Sequence, residues 1–121
     1  MRIAVPSETD AGLDSQRSGH FGHAAYFTVV DFDDDMNIVN VESIKNVDHD
    51  VEGCGGVINF ALTLGLDGIL TAGMGMPPFT RFTEAGVAVY ADGTEPNVGK
   101  VLEMFAQGKV ARMDPSAACR H

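Results

Sequence analysis

At 121 residues, with 45% hydrophobic and 21% charged positions, the chain has the composition of one folded domain large enough to bury a core. Eight Lys and Arg against 17 Asp and Glu give a formal net charge of -9, which excludes a nucleic-acid backbone as partner, since that needs clustered cations. Two cysteines, Cys54 and Cys119, are too few for a secreted disulfide framework and read as thiols.

No apolar run reaches membrane-spanning length, and the start, MRIAVP, leads directly into a strand; a cytoplasmic protein without a membrane partner is expected. Arg2 to Val5 reads as a first strand, ended by Pro6 and a polar, glycine-containing loop to about His23. Loops of that length in a compact domain are often functional. Ala25 to Asp33 and Met36 to Lys45 are β-rich runs separated by Asp34-Asp35, the pattern of an antiparallel hairpin. Asp31 to Asp35 matches part of an EF-hand loop, but Met36 stands where that loop requires glycine and strands flank it. Val57 to Leu64 has helical spacing, preceded by Gly53-Cys54-Gly55-Gly56 and stopped by Gly65. Gly68 to Ala72 reads as a short buried strand; Pro77-Pro78 opens a second helix that closes at Gly86. Val87 to Ala91 is a further strand, and Pro96 to Gln107 a third helix with Val98, Val101, Leu102 and Phe105 on one face. The domain is expected over residues 1–108, with 109–121 as a C-terminal tail.

The order β-β-β-α-β-α-β-α predicts an α/β fold with a five-stranded mixed sheet, order 3-2-1-4-5, strand two antiparallel. Strands one, three, four and five then point the same way, and ligands of open α/β sheets sit at that carboxyl edge, here between strands one and four. His20 and His23 follow strand one, His49 and Cys54 follow strand three, and Met74 and Met76 follow strand four. The soft donors converge on one edge.

The start MRIAVPSE, His20-Phe21-Gly22 leading into Ala25-Tyr26-Phe27, and the segment TAGMGMPPFTRFTEAGVAVY resemble the dinitrogenase iron-molybdenum cofactor biosynthesis family, which includes NifX-like proteins, the NafY core and the C-terminal domain of NifB. The resemblance covers residues 1–108 and implies a ribonuclease H-like three-layer α/β/α fold. It also implies non-catalytic binding, carriage or storage of an iron-sulfur or iron-molybdenum-type cluster or its precursor as transient cargo, with cluster-donor and acceptor proteins as partners. The histidine of His-Phe-Gly is the candidate ligand in such relatives, which maps onto His20.

The residues support that chemistry in their own right. A cluster with sulfide shells is soft and often anionic, so a carrier needs sulfur or imidazole donors and positive potential. Helix N-termini supply that potential, and glycines at Gly53 to Gly56 and Gly73 to Pro77 permit close approach. His20 and Cys54 are the expected metal ligands, with Gly22, Gly73, Met74, Gly75 and Met76 lining the pocket. Each has a plainer reading: His20 as a loop histidine bonded to its own turn, Cys54 as a small buried thiol, the methionines as packing. Cys119 and His121 have metal-like spacing but fall in the tail. Two other classes stay open. The turn Gly73-Met74-Gly75-Met76-Pro77 suits a nucleotide or phosphometabolite module, although it lacks the Lys-Ser/Thr ending of a P-loop. Cys54 with His49 or His20 as base suits a thiol enzyme.

Overall fold

The strands follow from burial on two sides. In the computed structural model, which describes residues 1–19, 21–47 and 49–113, and only the backbone of 49–54, β1 (Arg2–Ser7) is buried continuously from Ile3 to Ser7. That run lacks the polar-apolar alternation of a half-exposed strand because helices cover both faces. β2 (Tyr26–Phe32) and β3 (Ile38–Lys45) form the expected hairpin, β4 (Gly68–Thr71) and β5 (Ala88–Ala91) run parallel to β1, and β6 (Ala111–Arg112) closes the far edge antiparallel to β5.

The sheet order is β3-β2-β1-β4-β5-β6. The expected order holds for the first five strands, with β2 antiparallel, but the sheet has six strands rather than five. The sixth lies in the segment read as a tail. Two residues of strand carry no periodicity, so no sequence pattern marks β6. It is held by Tyr90 opposite Arg112 and Ala91 opposite Ala111, with Val110 and Met113 buried on either side. Cys119 and His121 lie outside the described residues.

Three helices make the outer layers. α1 (His49–Leu62) and α2 (Met76–Glu84) cover one face, where Val57, Ile58, Ala61 and Phe82 join Ala4, Phe27, Val29 and Ile69. α3 (Val98–Ala106) covers the other, placing Val98, Val101, Leu102 and Phe105 against Ile3, Val5, Val30 and Leu70. The expected stripe of α3 is the buried one. α1 departs from expectation: it starts at His49, so Gly53, Cys54, Gly55 and Gly56 lie inside the helix rather than ahead of it. Each mid-helix glycine costs about 0.5–1 kcal/mol relative to alanine, and burial of Val57, Ile58 and Ala61 offsets it. Propensity alone points away from helix there.

Two glycines test this account in opposite directions. Gly55 is helical and a methyl there would meet nothing within 4 Å, so Gly55→Ala is expected to raise unfolding free energy by about 0.5–1 kcal/mol. A methyl on Gly68 would lie 2.9 Å from Ile3 Cδ1 and 3.2 Å from the Ala88 carbonyl, so Gly68→Ala is expected to lower it by about 1–3 kcal/mol. Denaturant midpoints at unchanged slope measure both.

Candidate functional site

β1 and β4 pair only at Ile3 with Gly68 and Ala4 with Ile69, although β1 runs on to Ser7. Beyond Ala4 the two strands part, opening the sheet at its carboxyl edge where the chain changes direction. The β1–β2 loop fills the gap on the β1 side. Arg17 bridges to Ser7, and Ser18 N–H donates to the Pro6 carbonyl at 2.9 Å. Pro6 was expected to end the strand, yet it pairs with Phe27. Without an N–H it donates nothing towards β4, and the pairs of β1 with β4 end at Ala4.

The same loop segment is tied to the turn after β5. Arg17 N–H donates to the Pro96 carbonyl at 2.7 Å, Val98 N–H donates to the Ser15 carbonyl at 3.0 Å, and Gln16 bridges to Asn97. Inside this strap the Arg17 side chain, only 5% exposed, lies 3.3 Å from Asp92 Oδ2. It also donates to the Glu95 carbonyl at 2.8 Å and the Asp92 carbonyl at 2.7 Å. Burial pulls the Arg17 guanidinium below its ordinary value, although the charge of Asp92 and its hydrogen bond oppose this. For Asp92 burial pushes upward. The hydrogen bonds from Glu95 N–H and from the Thr94 hydroxyl and N–H, with the Arg17 charge, together outweigh it and hold the carboxyl below the usual range.

α1, α2 and α3 start at this edge. α1 follows β3, α2 follows β4 and α3 follows β5. The start of α3 is capped by the Asn97 side chain, which accepts from Lys100 N–H at 2.8 Å. α2 has Gly75 as its N-cap and no side-chain cap, with Pro in its first turn. The turn before it is held by Thr71, whose hydroxyl donates to the Gly73 carbonyl at 3.0 Å and accepts from Gly73 N–H at 3.2 Å. Met74 and Gly75 N–H have no acceptor among the described residues. The open donors at the start of α2 are thus those of the turn ahead of Pro77 and Pro78, which have no N–H of their own.

Phe21 fixes the loop from below. It is buried, edge-on to Phe82 of α2 with ring centroids 5.4 Å apart, and 5.9 Å from Phe27. Asn46, at the end of β3, donates its side-chain amide to the Ala24 carbonyl at 2.9 Å and its N–H to the Ala25 carbonyl at 3.0 Å. The loop end, the start of α2 and the approach to α1 therefore share one region.

Of the expected site residues, Gly22, Gly73 and Gly75 are half-buried in these loops. Met74 is 5% exposed and belongs to the cluster of Phe21 and Phe82, whereas Met76 is 36% exposed at the start of α2. His23 is exposed. His20 lies outside the described residues, as do the side chains of His49 and Cys54. Cys54 is the sixth residue of α1 and not ahead of it. Among the described residues no group of three or more His, Cys, Asp or Glu side chains could hold a metal ion, and no helix is long and apolar enough to cross a membrane. Sequence reasoning missed Arg17 and Asp92. An isolated Arg in a polar loop carries no signal, though Asp92-Gly93-Thr94 is a recognisable side-chain-capped turn.

Fold and edge together define a three-layer α/β protein with a loop-built site over the carboxyl ends of its parallel strands. The sequence matches the dinitrogenase iron-molybdenum cofactor family over residues 1–108, and the chain belongs to that family. Among solved structures it is similar to PH0822, at 32% identity, TM-score 0.78, covering 93% of this chain and 96% of that one. It is also similar to the apo form of the orange protein from Desulfovibrio gigas, at 27% identity, TM-score 0.76, covering 93% and 92%. TM1290 from Thermotoga, placed in the DUF35 family, shares the fold at 24% identity and TM-score 0.67, covering 92% and 91%. No curated protein matches the sequence.

The Arg17–Asp92 pair makes stability depend on acid in a defined direction. The folded carboxyl holds its proton less tightly than the unfolded one, so its contribution is complete above about pH 4 and disappears as pH falls through the lower folded value. Asp92→Asn is expected to lower stability at neutral pH and to flatten its dependence below about pH 4. Unfolding midpoints measured from pH 7 downward check this.

Proposed function

We propose that this protein binds and carries an iron-sulfur-type metallocluster or its precursor without transforming it, as a step in iron-molybdenum-type cofactor assembly. Family membership supports the class of cargo. The observation that carries the reading is the uncapped start of α2 beside the Phe21-anchored loop, at the edge where three helices begin. An anionic cluster is favoured there without lysines.

His20 and Cys54 are proposed as ligands, an imidazole and a thiolate being the donor types that suit a soft cluster. Two structural facts favour His20. Gly19, on one side of it, lines a hollow with Ala72 of the β4–α2 turn, and Phe21, on the other, packs against α2. Few protein donors, with the remaining cluster positions open, suit cargo that must be handed on. Gly22, Gly73, Gly75 and the Met74–Met76 turn form the proposed walls. The β3-β2-β1-β4-β5 core with antiparallel β2 is read as a ribonuclease H-like arrangement, and the cytoplasm as the place of action.

Anaerobic incubation with ferrous iron and sulfide is expected to give protein-bound iron with charge-transfer absorbance. His20→Ala is expected to cut iron retained after gel filtration several-fold, and Cys54→Ser to a lesser extent. Equal retention by wild type and by the double variant would overturn the ligand assignment.

A further inference from the structure

We propose that the hollow between the β1–β2 strap and the β5–α3 turn is a binding site for a compact oxyanion, a phosphate or carboxylate group, received by the Arg17 guanidinium. The hollow is the one that Gly19 shares with Ala72, but the oxyanion reading takes its donors from Arg17 and needs neither His20 nor Cys54 as a ligand. The space, about 250 Å³, is lined by Arg17, Ser18 and Gly19 of the strap, by Ala72, and by Gly93 to Pro96 of the β5–α3 turn, Glu95 included.

The inference rests on donors left over. A guanidinium has five N–H groups. Those of Arg17 make three bonds: Nη1 to Asp92 Oδ2 and to the Glu95 carbonyl, and Nη2 to the Asp92 carbonyl. Nε is buried and has no partner, and Nη2 keeps a second hydrogen. A buried unmatched donor on a charged group costs about 1–3 kcal/mol or more, a cost that a ligand oxygen would relieve by displacing what now covers Nε. Nε and Nη2 are two atoms of one planar fork, the arrangement that takes carboxylate or phosphate oxygens in pairs.

The neighbouring carboxylates do not compete for the free donors. Asp92 Oδ2 accepts from Arg17, Thr94 N–H and Glu95 N–H, and Oδ1 accepts from the Thr94 hydroxyl. Glu95 Oε1 accepts from Asn97 N–H at 3.1 Å. These bonds leave both charges in place, so an oxyanion is held by the fork and the backbone N–H groups against them. Gly19 and Gly93 add backbone N–H groups with no acceptor among the described residues, and the wall at both is open: a Cβ on Gly19 would meet nothing within 4 Å, and one on Gly93 only the Ala72 carbonyl at 3.9 Å.

Titration of the metal-free protein with sodium phosphate at constant ionic strength, followed by amide NMR, tests the site. Saturable shifts at Gly19, Ala72, Gly93 and Thr94 are expected, with sodium chloride producing none; a parallel acetate titration tells whether phosphate or carboxylate is preferred. Arg17→Lys keeps the charge but removes the fork and is expected to weaken binding about tenfold or more. Gly93→Asp leaves Arg17 in place and sets a negative charge in the hollow, with a similar loss expected, and it decides the matter should the Arg17 variant fail to fold. Shifts that track ionic strength without saturating, or unchanged phosphate affinity in Gly93→Asp, would overturn the proposal. Neither result bears on iron retention by His20 or Cys54.

Discussion

The parting of β1 from β4 after Ala4 governs the rest of this structure. A parallel pair that separates exposes backbone donors and acceptors on both strands, and buried groups of that kind must find partners. β1 finds them in its own following loop, through the Ser7–Arg17 bridge and the Ser18 to Pro6 bond. The strap therefore does the work of a missing strand at the end of β1. Bridging on to Asn97 and Pro96, it also fixes the approach to α3. A loop that looks long and unstructured in the sequence is thus tied down at several points, and its course across the sheet edge is set by backbone bonding.

Electrostatics at that edge work without a basic surface. The chain carries a net charge of -9, and only helix ends and buried cations can make a local positive region in such a field. The structure uses both. Three helix starts gather over the parallel strands; that of α3 is capped by Asn97, and that of α2 has no side-chain cap. Arg17 supplies a formal charge shielded from bulk water, set against the Asp92 carboxylate 3.3 Å away. The low-dielectric setting makes each of these contributions larger than the same group would make on the surface.

Much of this was legible from residues whose pattern reports burial. Val98, Val101, Leu102 and Phe105 mark one face because α3 packs along a single stripe, and the hairpin is set by two β-rich runs around an acidic turn. What was not legible depended on partners distant in sequence. β6 exists only because Val110 and Met113 find buried places and β5 has a free edge. The first turns of α1 contain three glycines, which locally favour a loop, and only the core contacts of Val57, Ile58 and Ala61 make the helix worth extending. At the candidate site the sheet edge could be foreseen from strand order, whereas the Arg17–Asp92 pair joins positions 75 residues apart and has no local signature.

Phe21 and Arg17 hold the same loop by different means, and the difference matters for the proposed role. The Phe21 anchor is apolar: its ring sits among Phe27 and Phe82, and burying such a side chain contributes about 1.5–3 kcal/mol whatever the pH or ionic state of the edge. The Arg17 anchor is polar and depends on an ionised Asp92 and on three hydrogen bonds. A loop held only by the first would keep its depth but could swing about the ring; one held only by the second would respond to every change of charge nearby. With both, the loop is held on either side of the interval between Ser18 and Phe21, at Arg17 and Ser18 on one side and at Phe21 on the other. Under the proposed function, a donor in that interval can be held in position by the fold rather than by a crowded ligand set. Cargo can then leave without the loop coming apart.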